Sequence, residues 1–217
     1  MTKKRLTLIH ASPLMIPVFN DLCRRLLPDI ETVHMVDEGL LKDILREGCL
    51  TKPTARRLVG HILSAEQAGT DAILVTCSSL GKAAEIGREL ATVPVIRVDE
   101  PMAKAAVQIG KRIGVIATLP STLNPTAELI RRQGPSDIEL TAKLCEGAFE
   151  AVLSGNPAMH DKIVSEGILE LAGRVDVIVL AQASMARVVQ TIPPERLTVP
   201  VLSSPQPAIE YLAGVLK

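Results

Sequence analysis

A near-constant internal offset constrains this chain more than any other feature. Arg5-Leu6-Thr7-Leu8-Ile9-His10 is echoed 107 residues later by Arg112-Ile113-Gly114-Val115-Ile116-Ala117. Val36-Asp37-Glu38-Gly39 is echoed 108 residues later by Leu144-Cys145-Glu146-Gly147. The stretch from Asp71 to Leu80 returns at an offset of 105 as Asp176 to Met185, and Val93-Pro94-Val95-Ile96 at 106 as Val199-Pro200-Val201-Leu202. One echo alone carries little weight, because apolar strands resemble one another. Four in order at one spacing mark a duplicated unit of about a hundred residues, within the usual size of a domain.

Inside the first copy, short apolar runs at 5–10, 32–36, 71–76 and 94–98 alternate with helix-period stretches at 17–27, 53–68 and 100–109. Strand alternating with helix predicts an α/β fold with parallel sheets. Asp37-Glu38-Gly39 reads as a turn, followed by a polar, cationic region. Two pseudo-symmetric α/β halves follow, 1–105 and 106–204, with a last helix at 205–217 packing on the first. Ligands of parallel sheets bind beyond the C-terminal ends of the strands, so the expected active site lies in a cleft between the halves.

Composition removes several function classes. The chain has no Trp, one Tyr and two Phe, which leaves base stacking almost no side chains to use. The formal net charge is zero, so no basic surface for nucleic acid is implied. No apolar run approaches a membrane span. The four cysteines, Cys23, Cys49, Cys77 and Cys145, form no C-x-x-C pair, so neither a metal site nor a disulfide framework is expected. A reducing cytoplasm is the default compartment. Gly-x-Gly-x-x-Gly is absent, and a nucleotide cofactor has no support in the sequence.

Chemistry concentrates at Ala72-Ile73-Leu74-Val75-Thr76-Cys77-Ser78-Ser79. A buried strand ends in a thiol and two hydroxyls just before a helix begins. Oriented N–H groups at a helix start favour negative charge and so the thiolate. Cys77 is the candidate base or nucleophile, and Ser78 and Ser79 are candidate ligands of a carboxylate or enolate oxygen. Simple capping of the helix would also explain both serines. Thr118, Ser121 and Thr122 stand at the matching end of the fifth strand, and Ser184 follows Gln182 in the second copy, with the same two readings. His10 closes the first strand ahead of Ala11-Ser12-Pro13. It is a candidate acid–base or anion-binding group, or a strand-end histidine with a structural hydrogen bond, and Ser12 is a candidate substrate contact. His34, His61 and His160 receive no chemical role, and Arg56-Arg57 reads as a solvated helix face.

The chain resembles the aspartate/glutamate racemase superfamily, which includes hydantoin racemase, maleate isomerase and arylmalonate decarboxylase. The resemblance spans nearly the whole chain. It rests on Val75-Thr76-Cys77-Ser78-Ser79, Val98-Asp99-Glu100-Pro101-Met102, Arg112 to Thr118, and Val177-Ile178-Val179-Leu180-Ala181-Gln182. It implies two pseudo-symmetric halves and cofactor-free proton transfer at a carbon acid, with one thiol working on each face. Cys77 matches the first thiol. The second thiol's position holds Gln182, which cannot serve as a general base near neutral pH. Cys145 stands at another strand end, with a buried apolar role the simpler reading.

Together these readings predict a cofactor-independent enzyme on a small carboxylate substrate, with racemase or isomerase chemistry from a single thiol. The alternatives are a single-thiol lyase of the decarboxylase kind and an inactive carboxylate-binding protein. Cys77 and His10 are the expected catalytic residues. Ser12, Ser78, Ser79, Thr118, Thr122, Gln182 and Ser184 are the expected substrate ligands. No metal, nucleic acid or membrane partner is expected, and homo-oligomerisation is left open.

Overall fold

A computed structural model describes residues 3–217, and the chain divides into two compact units, 1–98 with 205–217 and 99–204. Met1 and Thr2 lie outside the described residues. The first unit runs β1 (Arg5–His10), α1 (Ile16–Leu26), β2 (Glu31–Val36), α2 (Glu38–Glu47), α3 (Lys52–Gln67), β3 (Ala72–Val75), α4 (Gly81–Leu90) and β4 (Val95–Arg97). The second runs α5 (Glu100–Ile109), β5 (Arg112–Ala117), α6 (Pro120–Gln133), β6 (Glu139–Leu144), α7 (Ala148–Leu153), α8 (Pro157–Ala172), β7 (Val177–Leu180), α9 (Ala186–Val189) and β8 (Val201–Ser203). The last helix, α10 (Pro205–Val215), belongs to the first unit.

Each unit holds one four-stranded sheet, ordered β2-β1-β3-β4 and β6-β5-β7-β8, and every pairing is parallel. The two registers correspond: Ile9 pairs with Val75 as Ile116 pairs with Leu180, and His10 with Val36 as Ala117 with Leu144. The α/β fold read from the repeat is therefore the observed one.

Both faces of each sheet are covered, as parallel strands require. In the first unit Leu6, Leu8 and Leu74 pack with Phe19 and Leu22 of α1 and with Ile209 and Leu212 of α10. On the other face Ile9, Ile73 and Val75 pack with Leu40 and Ile44 of α2, Leu58 and Ile62 of α3, and Ala83 and Ala84 of α4. In the second unit Val115 and Val179 pack with Met102 and Ala106 of α5 and with Ile130 of α6, while Ile116 and Ile178 meet Val164 and Ile168 of α8. At about 25 cal/mol per Å² these aliphatic layers supply the main folding force.

Two sequence expectations change. The stretch after Asp37 is not a turn and polar region but the helix α2. Asp37 caps it, accepting from the Gly39 N–H at 3.0 Å, and Gly48 closes it at φ 71°, where a side chain would be strained. The boundary also falls earlier than 105. Helix α5 belongs to the second unit because Met102, Ala103 and Ala106 are buried in that unit's core.

Candidate active site

The candidate residues gather at the C-terminal ends of the strands. Cys77 follows β3 and precedes a 3-10 turn, Ser78–Leu80, that leads into α4. Its backbone is extended, at φ −123° and ψ 115°. Gln182 holds the same place after β7, at φ −120° and ψ 133°, before the 3-10 turn Ala183–Met185. Cys77 is half-buried against the apolar layer that includes Ile9 and Val75. Ser78 and Ser79 are buried, whereas Ser184 is exposed. Ser12 accepts from the Leu14 N–H at 3.4 Å and so caps its own turn.

Gln182 is fixed by its own unit. Its Oε1 accepts from the Thr118 N–H at 2.6 Å and from the Thr118 hydroxyl at 3.0 Å. A backbone N–H can only donate, so the amide's orientation is settled, and Nε2 keeps both its donors. Thr118 and Thr122 are both buried, Thr122 in the first turn of α6.

His10 departs from its expected role. It is fully buried, with Nδ1 at 2.9 Å from the Thr76 hydroxyl and Nε2 at 2.8 Å from Nδ1 of His34. His34 Nε2 reaches Asn20 Oδ1 at 2.8 Å. Burial, and secondarily His34, push the His10 imidazole down to about 4, so it is neutral near pH 7. Both ring nitrogens are engaged and none is left for a substrate. The structure makes His10 a tie between the ends of β1 and β3 in place of an acid–base group. Thr76 stands level with His10, and His34 two positions before that level on β2, a juxtaposition that only the strand register shows.

Cys145 is buried beside Ile116 and Ala148, and burial pushes its thiol up to about 11. It holds the register position that Asp37 holds in the first unit, since Asp37 N–H donates to His10 O and Cys145 N–H to Ala117 O.

Sequence reasoning overlooked the cluster around Asp37. Its carboxylate accepts from Arg57 Nε at 2.6 Å, Arg57 Nη2 at 2.7 Å, Gly39 N–H at 3.0 Å and His61 Nε2 at 2.7 Å. Burial pushes this carboxyl up, but the His61 and Gly39 hydrogen bonds and the Arg57 charge outweigh it and leave it below its ordinary value. Arg57 is thus an ion-pair partner, not a plain solvated face. Among the described residues, no set of three or more His, Cys, Asp or Glu side chains could hold a metal ion, and no helix is long and apolar enough to cross a membrane.

The chain matches the family model described as Asp/Glu/Hydantoin racemase over residues 9–212. It is 32% identical over 114 residues to a glutamate racemase of Lactococcus lactis, covering 50% of this chain and 42% of that protein, less than half of the relative's length. Solved structures share the fold at low identity. A glutamate racemase from Francisella tularensis in complex with D-glutamate superposes with TM-score 0.77 at 17% identity, covering 99% of this chain and 81% of that one. An allantoin racemase from Klebsiella pneumoniae gives 0.74 at 18%, covering 98% and 87%. An aspartate racemase from Picrophilus torridus gives 0.71 at 15%, covering 97% and 94%.

Proposed function

The chain belongs to the Asp/Glu/hydantoin racemase family, and on that premise we propose that it is a cofactor-independent enzyme acting at a carbon acid of a small carboxylate. Cys77 is the proposed thiol base or nucleophile. Ser78, Ser79, Thr118 and Thr122 are the proposed carboxylate-binding groups, and Gln182 is a neutral donor where a two-thiol racemase has its second sulfur.

The observation that carries this reading is the matched strand-end position. Cys77 and Gln182 follow equivalent strands with nearly the same extended backbone. One carries a thiol, and the other an amide whose acceptor is already used by Thr118. An amide neither takes nor gives a proton at useful rates near pH 7. That same observation favours a second reading, a single-thiol lyase, in which Cys77 protonates a carbanion left by decarboxylation.

The test is a thermal-shift screen of small mono- and dicarboxylates, followed by α-hydrogen exchange in D₂O with each compound that binds. A ligand of the folded state raises the melting temperature by mass action. Exchange by the wild type that Cys77→Ala abolishes supports the reading. Full exchange of both enantiomers in Cys77→Ala would remove the thiol from the chemistry.

A further inference from the structure

The pocket beside Asp37 has no assigned role. It encloses about 220 Å³ and is lined by Ile9, Met35, Val36, Asp37 and His61, all of the first unit. Asp37 directly follows β2, and its N–H donates to His10 O at 3.0 Å, so the ladder continues one residue past the strand. With His10 paired to Val36 and Ile9 to Val75, both Asp37 and Cys77 fall level with Ala11. Both are extended, at φ −135° and −123°, so side chains alternate between the two faces of the sheet through this edge. Cys77 lies two residues after Val75, and Asp37 two after Met35, and Val75, Met35 and Cys77 share one apolar layer. Asp37 and Cys77 therefore lie on one face of the sheet, about 10 Å apart across two strand spacings. Helix α3, which carries His61, covers that face.

The ring of His61 is pre-set. A carboxylate only accepts, so His61 Nε2 carries the proton given to Asp37. Nδ1 makes no hydrogen bond among the described residues, and the side chain is 31% exposed. Asp37 is itself held by the Arg57 fork, and Gly39 makes room for that fork, since a Cβ there would sit 2.7 Å from Arg57 Nη1. The charged groups facing His61 are Asp37 and Arg57, with Asp43 of α2 3.8 Å from Arg57. An imidazole oriented by a half-buried carboxylate and open on its other nitrogen is the arrangement of a general base.

We propose that His61, oriented by Asp37, is a second proton carrier on the same sheet edge as Cys77, acting on the carbon acid whose other proton transfer Cys77 performs. The proposal rests on the reading above and supplies an ionisable group where Gln182 supplies none. His61 takes the α-proton on Nδ1, and the C–H electron pair becomes the carbanion, delocalised into the carboxylate. Asp37 balances the imidazolium. The Cys77 thiol gives its proton to the carbon and becomes a thiolate. Water then carries the proton from imidazolium to thiolate and resets the pair. The reverse direction uses the same groups in opposite roles.

The test follows exchange and inversion of both enantiomers of aspartate and glutamate in D₂O by the full chain, His61→Gln and Cys77→Ala. Glutamine at 61 keeps a donor toward Asp37 and removes the basic nitrogen. The expected result is a loss of about 10²–10⁴-fold in exchange from one enantiomer in His61→Gln, and from the other in Cys77→Ala. Equal rates in His61→Gln and wild type overturn the proposal and leave Cys77 in place. Rates unchanged in Cys77→Ala overturn the thiol reading and leave His61. If neither amino acid exchanges, ¹⁵N-histidine spectra with added malonate decide: a His61 Nδ1 signal that moves supports the proposal. One that stays fixed while the Gln182 side-chain amide moves in a second, uniformly ¹⁵N-labelled sample overturns it, and no response in either sample counts against both readings.

Discussion

The carbonyl oxygen of Gln182 is held between the N–H and the hydroxyl of Thr118, at 2.6 and 3.0 Å. This relationship turns an ambivalent amide into a pure donor. It also ties the end of β7 to the end of β5, where a thiol would make no such tie.

Gln182→Glu tests that donor directly. The carboxylate keeps both bonds from Thr118, replaces two donors with a negative charge, and changes almost no volume. Binding of a small carboxylate should weaken by about 10–100-fold, the equivalent of about 1–3 kcal/mol for a lost partner, with the melting temperature nearly unchanged. Unaltered affinity by calorimetry would show that Gln182 does not meet the ligand.

Removing thiols should separate chemistry from packing. Cys77→Ala should abolish turnover at a stability cost within about 0.5–3 kcal/mol. Cys145→Ala should do the reverse: its thiol, pushed up to about 11 by burial, is uncharged at neutral pH, and its sulfur sits 2.8 Å from where a Cβ on Gly167 would lie. Turnover should persist while stability falls by about 1 kcal/mol. Denaturant melts and activity on the same preparations check both.

The pair of buried His10 and half-buried His34 should make stability depend on acid. His10 stands near 4 in the folded chain against 6.5 ordinarily, lowered by burial and then by His34. The folded value lies below the unfolded one, so between the two the unfolded chain binds a proton that the folded chain refuses. The stability is whole above pH 6.5 and is lost as the pH falls toward 4, by about 3 kcal/mol in all. His34, also lowered by burial, acts in the same direction. His10→Gln should flatten that part of the curve in urea melts, and an identical acid slope in the variant would falsify the assignment.

Gly81→Ala should be costly. Arg97 is 2% exposed, pairs with Glu85, and lies so close to Gly81 that an added Cβ would sit 2.2 Å from its Cζ. Displacing a buried guanidinium from its carboxylate costs about 3 kcal/mol or more. The turn carrying Ser78 and Ser79 leads straight into Gly81, so turnover should fall with stability. A urea midpoint within the small range of a surface substitution would show that Arg97 moves aside freely.

The sequence by itself determined the duplicated α/β plan, because buried parallel strands need continuous runs of branched apolar residues and those runs recur at one spacing. It also determined Cys77 and its mismatch with Gln182, since a repeat aligns the two positions without any coordinates. It missed α2, whose charged surface residues hide a two-residue buried stripe, Leu40 and Ile44. It drew the boundary at 105, through the middle of α5, although the repeat could have corrected this: each sheet's last strand is followed by a helix that joins the other unit, α5 as well as α10. Only the tertiary structure decided that His10 is engaged on both nitrogens, that Arg97 is buried, and that Asp37, Arg57 and His61 form one cluster. Asp37 stands 20 positions before Arg57 and 24 before His61, and His10 stands 24 before His34. A hydrogen bond leaves no periodic trace in sequence, and it exists only once strand register and helix packing have set the two groups at 2.7 Å.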